Sequence, residues 1–288
     1  MKIITTINSN NSEAFLSSNA DALMIGLEGY TTYLDKTFSL DEIKTIINMN
    51  SNKELYVVIN RIIEQTEIDD VRVLLNEIVK LDVKGIVVMD MGLLQIAKEE
   101  GYLNKIVFSP STYLTNKDSA AYLSSLGVQR LVLAKEISLN NIFEIKKNVN
   151  CDVEITTYGY RNIFYSKRHI KTLYKENFNV GDFNYLKEEK REDSLFPIEE
   201  IENGTFVFSS KKLSLWGYLS RFMDHNVDYV NLESNFIGDE IFNVIDIYKK
   251  AIELYGSDEF NSYLESIKFE DCDEGFINKD SVYMQEEY

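Results

Sequence analysis

Residues 154–170, EITTYGYRNIFYSKRHI, carry a carboxylate (Glu154), a glycine at a strand end (Gly159), and then Arg161, Lys167, Arg168 and His169, with no cysteine among them. Cations so placed can hold a carboxylate or a phosphate, Arg through a bidentate pair and Lys as a point charge. Most catalytic templates are missing around them. No Gly-x-Gly-x-x-Gly opens a helix, and no phosphate-binding Gly-x-x-x-x-Gly-Lys occurs. His169 and His225 are the only histidines, and neither belongs to a His-Glu-x-x-His helix, so a zinc protease is disfavoured. A serine nucleophile would need one of them as its base. His169 is the candidate, and no Gly-x-Ser-x-Gly elbow accompanies it. His225 reads as a helix-end residue, and Trp216 as helix packing.

The elements that would position such groups follow a regular alternation. Short, β-branched apolar runs at 2–7, 21–26, 55–60, 85–90, 105–109, 130–135, 152–159 and 228–233 suit strands buried on both faces, as parallel sheets require. Between them lie amphipathic segments. Ser39 with Glu42 forms a capping box, Ser138 caps LNNIFEIKKNV, and residues 67–81 place Ile68, Val71, Leu74, Leu75 and Ile78 on one face. Eight strands in βαβ units predict a closed (β/α)₈ TIM-type barrel. The chain reads as one barrel domain, 1–288, with an insertion at 160–212 between the seventh and eighth strands and a C-terminal extension at 257–288. The insertion holds one further strand, TFVFSS.

Barrel chemistry sits at the C-terminal strand ends. Those ends carry a polar ring over an apolar wall, which is what a ligand pocket looks like. Asn60, Asp90, Lys135, Glu136, Tyr158, Arg168 and Glu233 are expected to converge there, the insertion beside them. Two outcomes stay open. Lys135 and Arg168 hold an anionic ligand, or Lys135–Glu136 and Arg168–Glu154 are ion pairs that brace strand ends. No catalytic residue is assigned.

Composition narrows the function classes. With 44% hydrophobic residues among 288, the chain is ordinary globular material, and only 2 prolines leave few rigid breaks. Cys151 and Cys272 have no metal-type spacing, and neither a signal peptide nor a membrane span is read, so a cytoplasmic setting is expected. The formal charge of −17 disfavours nucleic-acid binding by the chain alone, because phosphate repels an acidic surface. Residues 161–175 are the best candidate for a local basic patch.

NADALMIG, ELYVVIN, IVVMD, SPSTYLTN, RLVLAKEISLNNI, VEITTYG, YVNLE, IYKKAIELY and DEGFINKDSVY, in that order, resemble the collagenase-like peptidase family U32. The resemblance covers nearly the whole chain. It implies that Glu154 takes the family's acidic place and joins the ligand-binding set, with Tyr158 at a histidine place and Gly159, Ser166 and Arg168 kept. Family members hold an iron–sulfur cluster on four thiolates. Here Asn162, His169 and Ser214 stand at three of those places, and residues 171–200 contain no cysteine. The expectation is therefore no bound cluster and no metal. Short members resemble the smaller subunit of a pair that 5-hydroxylates tRNA wobble uridine, with prephenate as a cofactor source at the level of the pathway. This chain departs from them at the eighth strand, where a Lys-x-Glu-Gly-Arg reads Asn231-Leu232-Glu233-Ser234-Asn235. The resemblance implies an accessory subunit beside a cluster-bearing paralogue. The alternative is a U32-type peptidase (a hydrolase), or a cluster-free enzyme acting alone.

Overall fold

Alternating buried strands and one-sided helices close on themselves. The structure, a computed structural model, describes residues 1–278 except Tyr33 and Lys190; the end of the predicted extension, 279–288, lies outside the described residues. The first half runs β1 (Lys2–Thr6), α1 (Ser12–Ser17), β2 (Ala22–Gly26), α2 (Leu40–Met49), β3 (Glu54–Ile59), α3 (Ile68–Ile78), β4 (Gly85–Val88), α4 (Met91–Glu100), β5 (Ile106–Phe108), α5 (Lys117–Ser125), β6 (Arg130–Val132) and α6 (Leu139–Lys147). Then come β7 (Asp152–Ser166), α7 (Ile170–Phe178), β8 (Tyr185–Glu188), β9 (Arg191–Ile201), β10 (Gly204–Ser214), α8 (Leu219–Asp224), β11 (Tyr229–Leu232), α9 (Glu240–Leu254), α10 (Phe260–Ser266) and β12 (Cys272–Asp273). Strands β1 to β7 pair in order and in parallel, and β11 pairs with both β7 and β1, so eight strands form a closed barrel. The predicted (β/α)₈ architecture is present.

The helices start where the side chains dictate. Ser39 accepts from the Glu42 N–H while Glu42 accepts from the Ser39 N–H, completing the capping box of α2. Ser138 caps α6 in the same sense. Helix α3 buries Val71, Leu75 and Ile78 against the wall. The main core lies between barrel and helices; Trp216, on a short turn before α8, closes part of it, donating Nε1–H to Leu264 O at 3.0 Å. A second, smaller core fills the lumen with Ile4, Ala22, Met24, Val58, Val87 and Val107 beside Tyr56 and Tyr229. These are alternate residues of their strands, the period-2 consequence of the pleat.

The insertion is more ordered than its polar composition suggests. Strand β7 continues to Ser166, well past the predicted end at 159, and β10 returns antiparallel to it through Ser214. Strands β9 and β8 extend this sheet on the far side of β10. The β9–β10 hairpin turns at Asn203-Gly204, where Gly204 takes φ +128°; a Cβ there would meet the Ser166 carbonyl at 2.1 Å. The hairpin tip leans on the barrel mouth, with Asn203 Nδ2 donating to Thr31 O at 3.2 Å, and Lys167 pairs with Glu64 at 2.5 Å.

Candidate functional site

Several inward positions of the barrel carry polar side chains beside this apolar filling. Arg130 on β6 is fully buried in the lumen. Its guanidinium lies between two rings, 4.2 Å from the Tyr56 centroid and 4.0 Å from that of Tyr229, and donates to Tyr56 OH at 3.0 Å. Its Nε approaches Glu154 Oε2 at 2.9 Å, off the angle of a hydrogen bond, so the contact is one of charge. Below this stack, Tyr229 OH donates to Glu54 at 2.7 Å and Glu54 pairs with Lys2 at 2.6 Å. Arginine and tyrosines thus plug the N-terminal end of the barrel.

Electrostatics follow from that burial. Carboxylate and phenols around Arg130 hold its proton more firmly than usual, against the cost of burial. Burial pushes the Glu154 carboxyl up, Arg130 pulls it back, and the nearby Glu233 pushes it up again. Both tyrosine hydroxyls are raised, chiefly by burial, and stay protonated.

Above the plug, at the C-terminal strand ends, a cavity of about 50 Å³ is lined by Thr6, Asn60, Ser109, Ser111, Lys135, Glu154, Thr156, Asn231 and Glu233, among apolar residues. Lys135 Nζ meets Glu233 Oε1 at 2.7 Å across it. Asn231 donates Nδ2–H to Glu154 Oε1 at 3.1 Å. Asn60 Oδ1 accepts from the Thr32 N–H at 2.8 Å and so fastens the β2–α2 loop over the mouth. Ser111 has φ +70°, a left-handed conformation that serine rarely adopts.

The structure brings together Asn60, Lys135, Glu154 and Glu233 of the predicted set, and leaves Asp90, Glu136, Tyr158 and Arg168 outside the cavity lining. Asp90 caps α4, accepting from the Gly92 N–H at 2.6 Å. Glu136 is exposed. Tyr158 faces outward against Phe269, because a register shift between β7 and β11 after Thr156 reverses the strand's alternation. Arg168 is exposed on the insertion, between β7 and α7. The expected pairs are replaced: Lys135 binds Glu233 rather than Glu136, and Glu154 binds Arg130 rather than Arg168. Arg130, Thr6, Thr156 and Asn231 escaped the sequence reading. Their parity with the apolar lumen residues of the same strands was the available signal.

A second concave surface lies on the insertion. It encloses about 500 Å³ and is lined by Phe164, Ile170, Lys171, Tyr174, Tyr185 and Val207 among others, with no carboxylate in its lining. Phe164, Tyr174, Tyr185 and Leu186 are exposed there, and Ile163, Leu173, Phe178 and Val180 are exposed elsewhere on the insertion. Phe183 lines the same concave surface, edge-on to Tyr174, whereas Tyr165 stacks on Phe206.

The positions that hold cluster thiolates in the resembling family are here an amide, an imidazole and a hydroxyl. Asn162 donates to Phe164 O, His169 contacts Glu202 O, and Ser214 pairs in register with Tyr158. Cys151 precedes β7 at the plugged end of the barrel, and Cys272 lies beside β10. These donors do not fit a four-thiolate cluster. Among the described residues no group of three or more His, Cys, Asp and Glu side chains is arranged to hold a metal, and no helix is long and apolar enough to cross a membrane.

Comparison with known proteins decides the family. The profile described as peptidase family U32 matches residues 8–286. The chain belongs to this family. Among its U32 relatives is the tRNA hydroxylation protein P2 of Bacillus subtilis (strain 168), 26% identical, over 93% of this chain and 94% of that protein. The tRNA hydroxylation protein P1 of the same organism is 22% identical over 91% of this chain and 65% of its own length. Among solved structures, that of the U32 peptidase Mk0906 superposes with a TM-score of 0.53 at 12% identity, covering 81% of this chain and 92% of that one, which concerns the fold alone.

Proposed function

We propose that this U32 protein acts in RNA hydroxylation as an accessory subunit, paired with a longer, cluster-bearing paralogue that works on the wobble uridine of tRNA. The observation that carries the reading is end-to-end similarity to a P2 protein alongside only two-thirds coverage of a P1 protein. The non-thiolate side chains at Asn162, His169 and Ser214 support a supporting role over cluster chemistry. The net charge of −17 agrees, since the partner would then supply the basic surface that grips phosphate. The apolar face of the insertion, with Phe164, Tyr174, Phe178 and Tyr185 exposed, suits that contact. A stand-alone serine peptidase lacks support at the cavity, because His225 stacks on Phe143 at 3.6 Å outside the barrel and His169 belongs to the insertion.

Anaerobic co-expression with a four-cysteine U32 paralogue from the native host, then size-exclusion chromatography at moderate salt, tests the proposal. Co-elution, together with loss of the hydroxylated nucleoside on deletion of this gene, is expected. Separate elution with unchanged hydroxylation would overturn it.

A further inference from the structure

The barrel cavity holds polar atoms that the fold itself leaves without partners. Thr6 Oγ1, Thr156 Oγ1 and Asn231 Oδ1 make no hydrogen bond, although their residues are only 1%, 5% and 4% exposed. All three residues line the cavity. Buried polar groups are nearly always satisfied, so such a cluster marks a place where something else completes the bonding. Above them Lys135 spends one of its three donors on Glu233.

Charge balance limits what fits. Lys135 neutralises Glu233 within the lining, and Arg130, in the plug beneath it, neutralises Glu154, so lining and plug together sum to zero. A phosphate or dicarboxylate would add unbalanced negative charge, and Arg168, the second cation expected for such a ligand, is elsewhere. An amine alone would be unbalanced the other way. A zwitterion fits charge for charge: its carboxylate takes free donors of Lys135, and its ammonium faces Glu233 and the Asn231 Oδ1 acceptor. A volume of about 50 Å³ is room for roughly three to five waters, hence for a molecule of only a few heavy atoms. We infer that the mouth of this barrel is a binding site for a small zwitterionic amino acid. The inference is independent of pairing with a second subunit.

Calorimetric titration of the isolated full chain tests it, with glycine and alanine as probes. Acetate, methylammonium, glycerol, malonate and inorganic phosphate serve as comparisons. Glycine or alanine should bind at millimolar concentration, at least about tenfold more tightly than any probe lacking one of the two charges, since each lost charge leaves a desolvated partner unpaired. Lys135→Met should abolish binding. Because that variant also strands Glu233, Thr156→Val is the second arm. It removes an unsatisfied hydroxyl, so it should leave the unliganded fold as stable as before or more so, while weakening glycine severalfold. Failure of glycine and alanine to bind, or tighter binding of malonate or phosphate, would overturn the inference; in the first case water alone fills the cavity.

Discussion

Replacing Glu154 by Gln removes a charge and almost nothing else, which makes it the sharpest probe of the plug. The substitution keeps an oxygen toward Asn231 and preserves volume, but leaves the Arg130 guanidinium sealed in the lumen without a counter-charge. Breaking one partner of a buried pair costs about 3–5 kcal/mol. The two flanking tyrosine faces and the Tyr56 hydroxyl still cradle the cation at 4.2, 4.0 and 3.0 Å, so the lower end applies, about 3 kcal/mol. At about 2 °C per kcal/mol for a chain of this size, the melting temperature should fall by about 6 °C. Arg130→Met combined with Glu154→Leu should lose less than either single charge deletion, since removing both charges also removes their desolvation cost. Urea unfolding followed by circular dichroism reads Glu154→Gln and the cycle of parent, Arg130→Met, Glu154→Leu and their double. If Glu154→Gln stays within about 1 kcal/mol of the parent, the carboxyl already carries a proton in the folded barrel, and the reasoning from a buried ion pair fails.

Three further outcomes are expected. Glu67 is gripped by Arg61 at 2.6 and 3.0 Å, which lowers its pKa from 4.5 to about 2. The folded chain therefore binds that proton less readily than the unfolded one, so the stabilisation is whole above about pH 4.5 and vanishes as pH falls toward 2. The stability gap between parent and Glu67→Gln, followed by urea melts across that window, should close accordingly. Gly159→Ala should destabilise by at least about 2 kcal/mol and displace Glu233, because φ is +108° and the new Cβ would lie 2.5 Å from the Glu233 carbonyl; a thermal melt indistinguishable from the parent contradicts this. Anaerobically purified protein should lack stoichiometric iron and sulfide, and a reproducible visible charge-transfer band would count against that expectation.

The barrel was legible because its evidence is local. Strands such as ELYVVI are buried on both faces and read as continuous apolar runs, and capping residues such as Ser39 announce helix starts. The insertion was legible only in outline: β8 and the far half of β7 lack a buried face, so periodicity said little there, and the Asn203-Gly204 turn was the missed sign. Half of the predicted site converged, because strand ends do point to one rim. Of the other half, Asp90 was taken up as a helix cap, Glu136 and Arg168 face solvent, and Tyr158 was turned outward by a register shift, a non-local event that no alternation pattern in one strand records. Arg130 lay hidden in a run read as an ordinary strand, since lumen and wall positions differ only by parity.

Strand β7 belongs to two bodies at once: residues near Glu154 stand in the barrel wall, and residues near Phe164 floor the groove of the insertion. Its partner β10 makes the return journey bonded alongside. A single residue added to β7 between these regions would turn every side chain beyond it to the opposite face. The apolar groove would then point away from its present side while the barrel stayed intact. Length changes in this arm should therefore be tolerated in twos, matched in β10, and a one-residue insertion should separate folding from assembly.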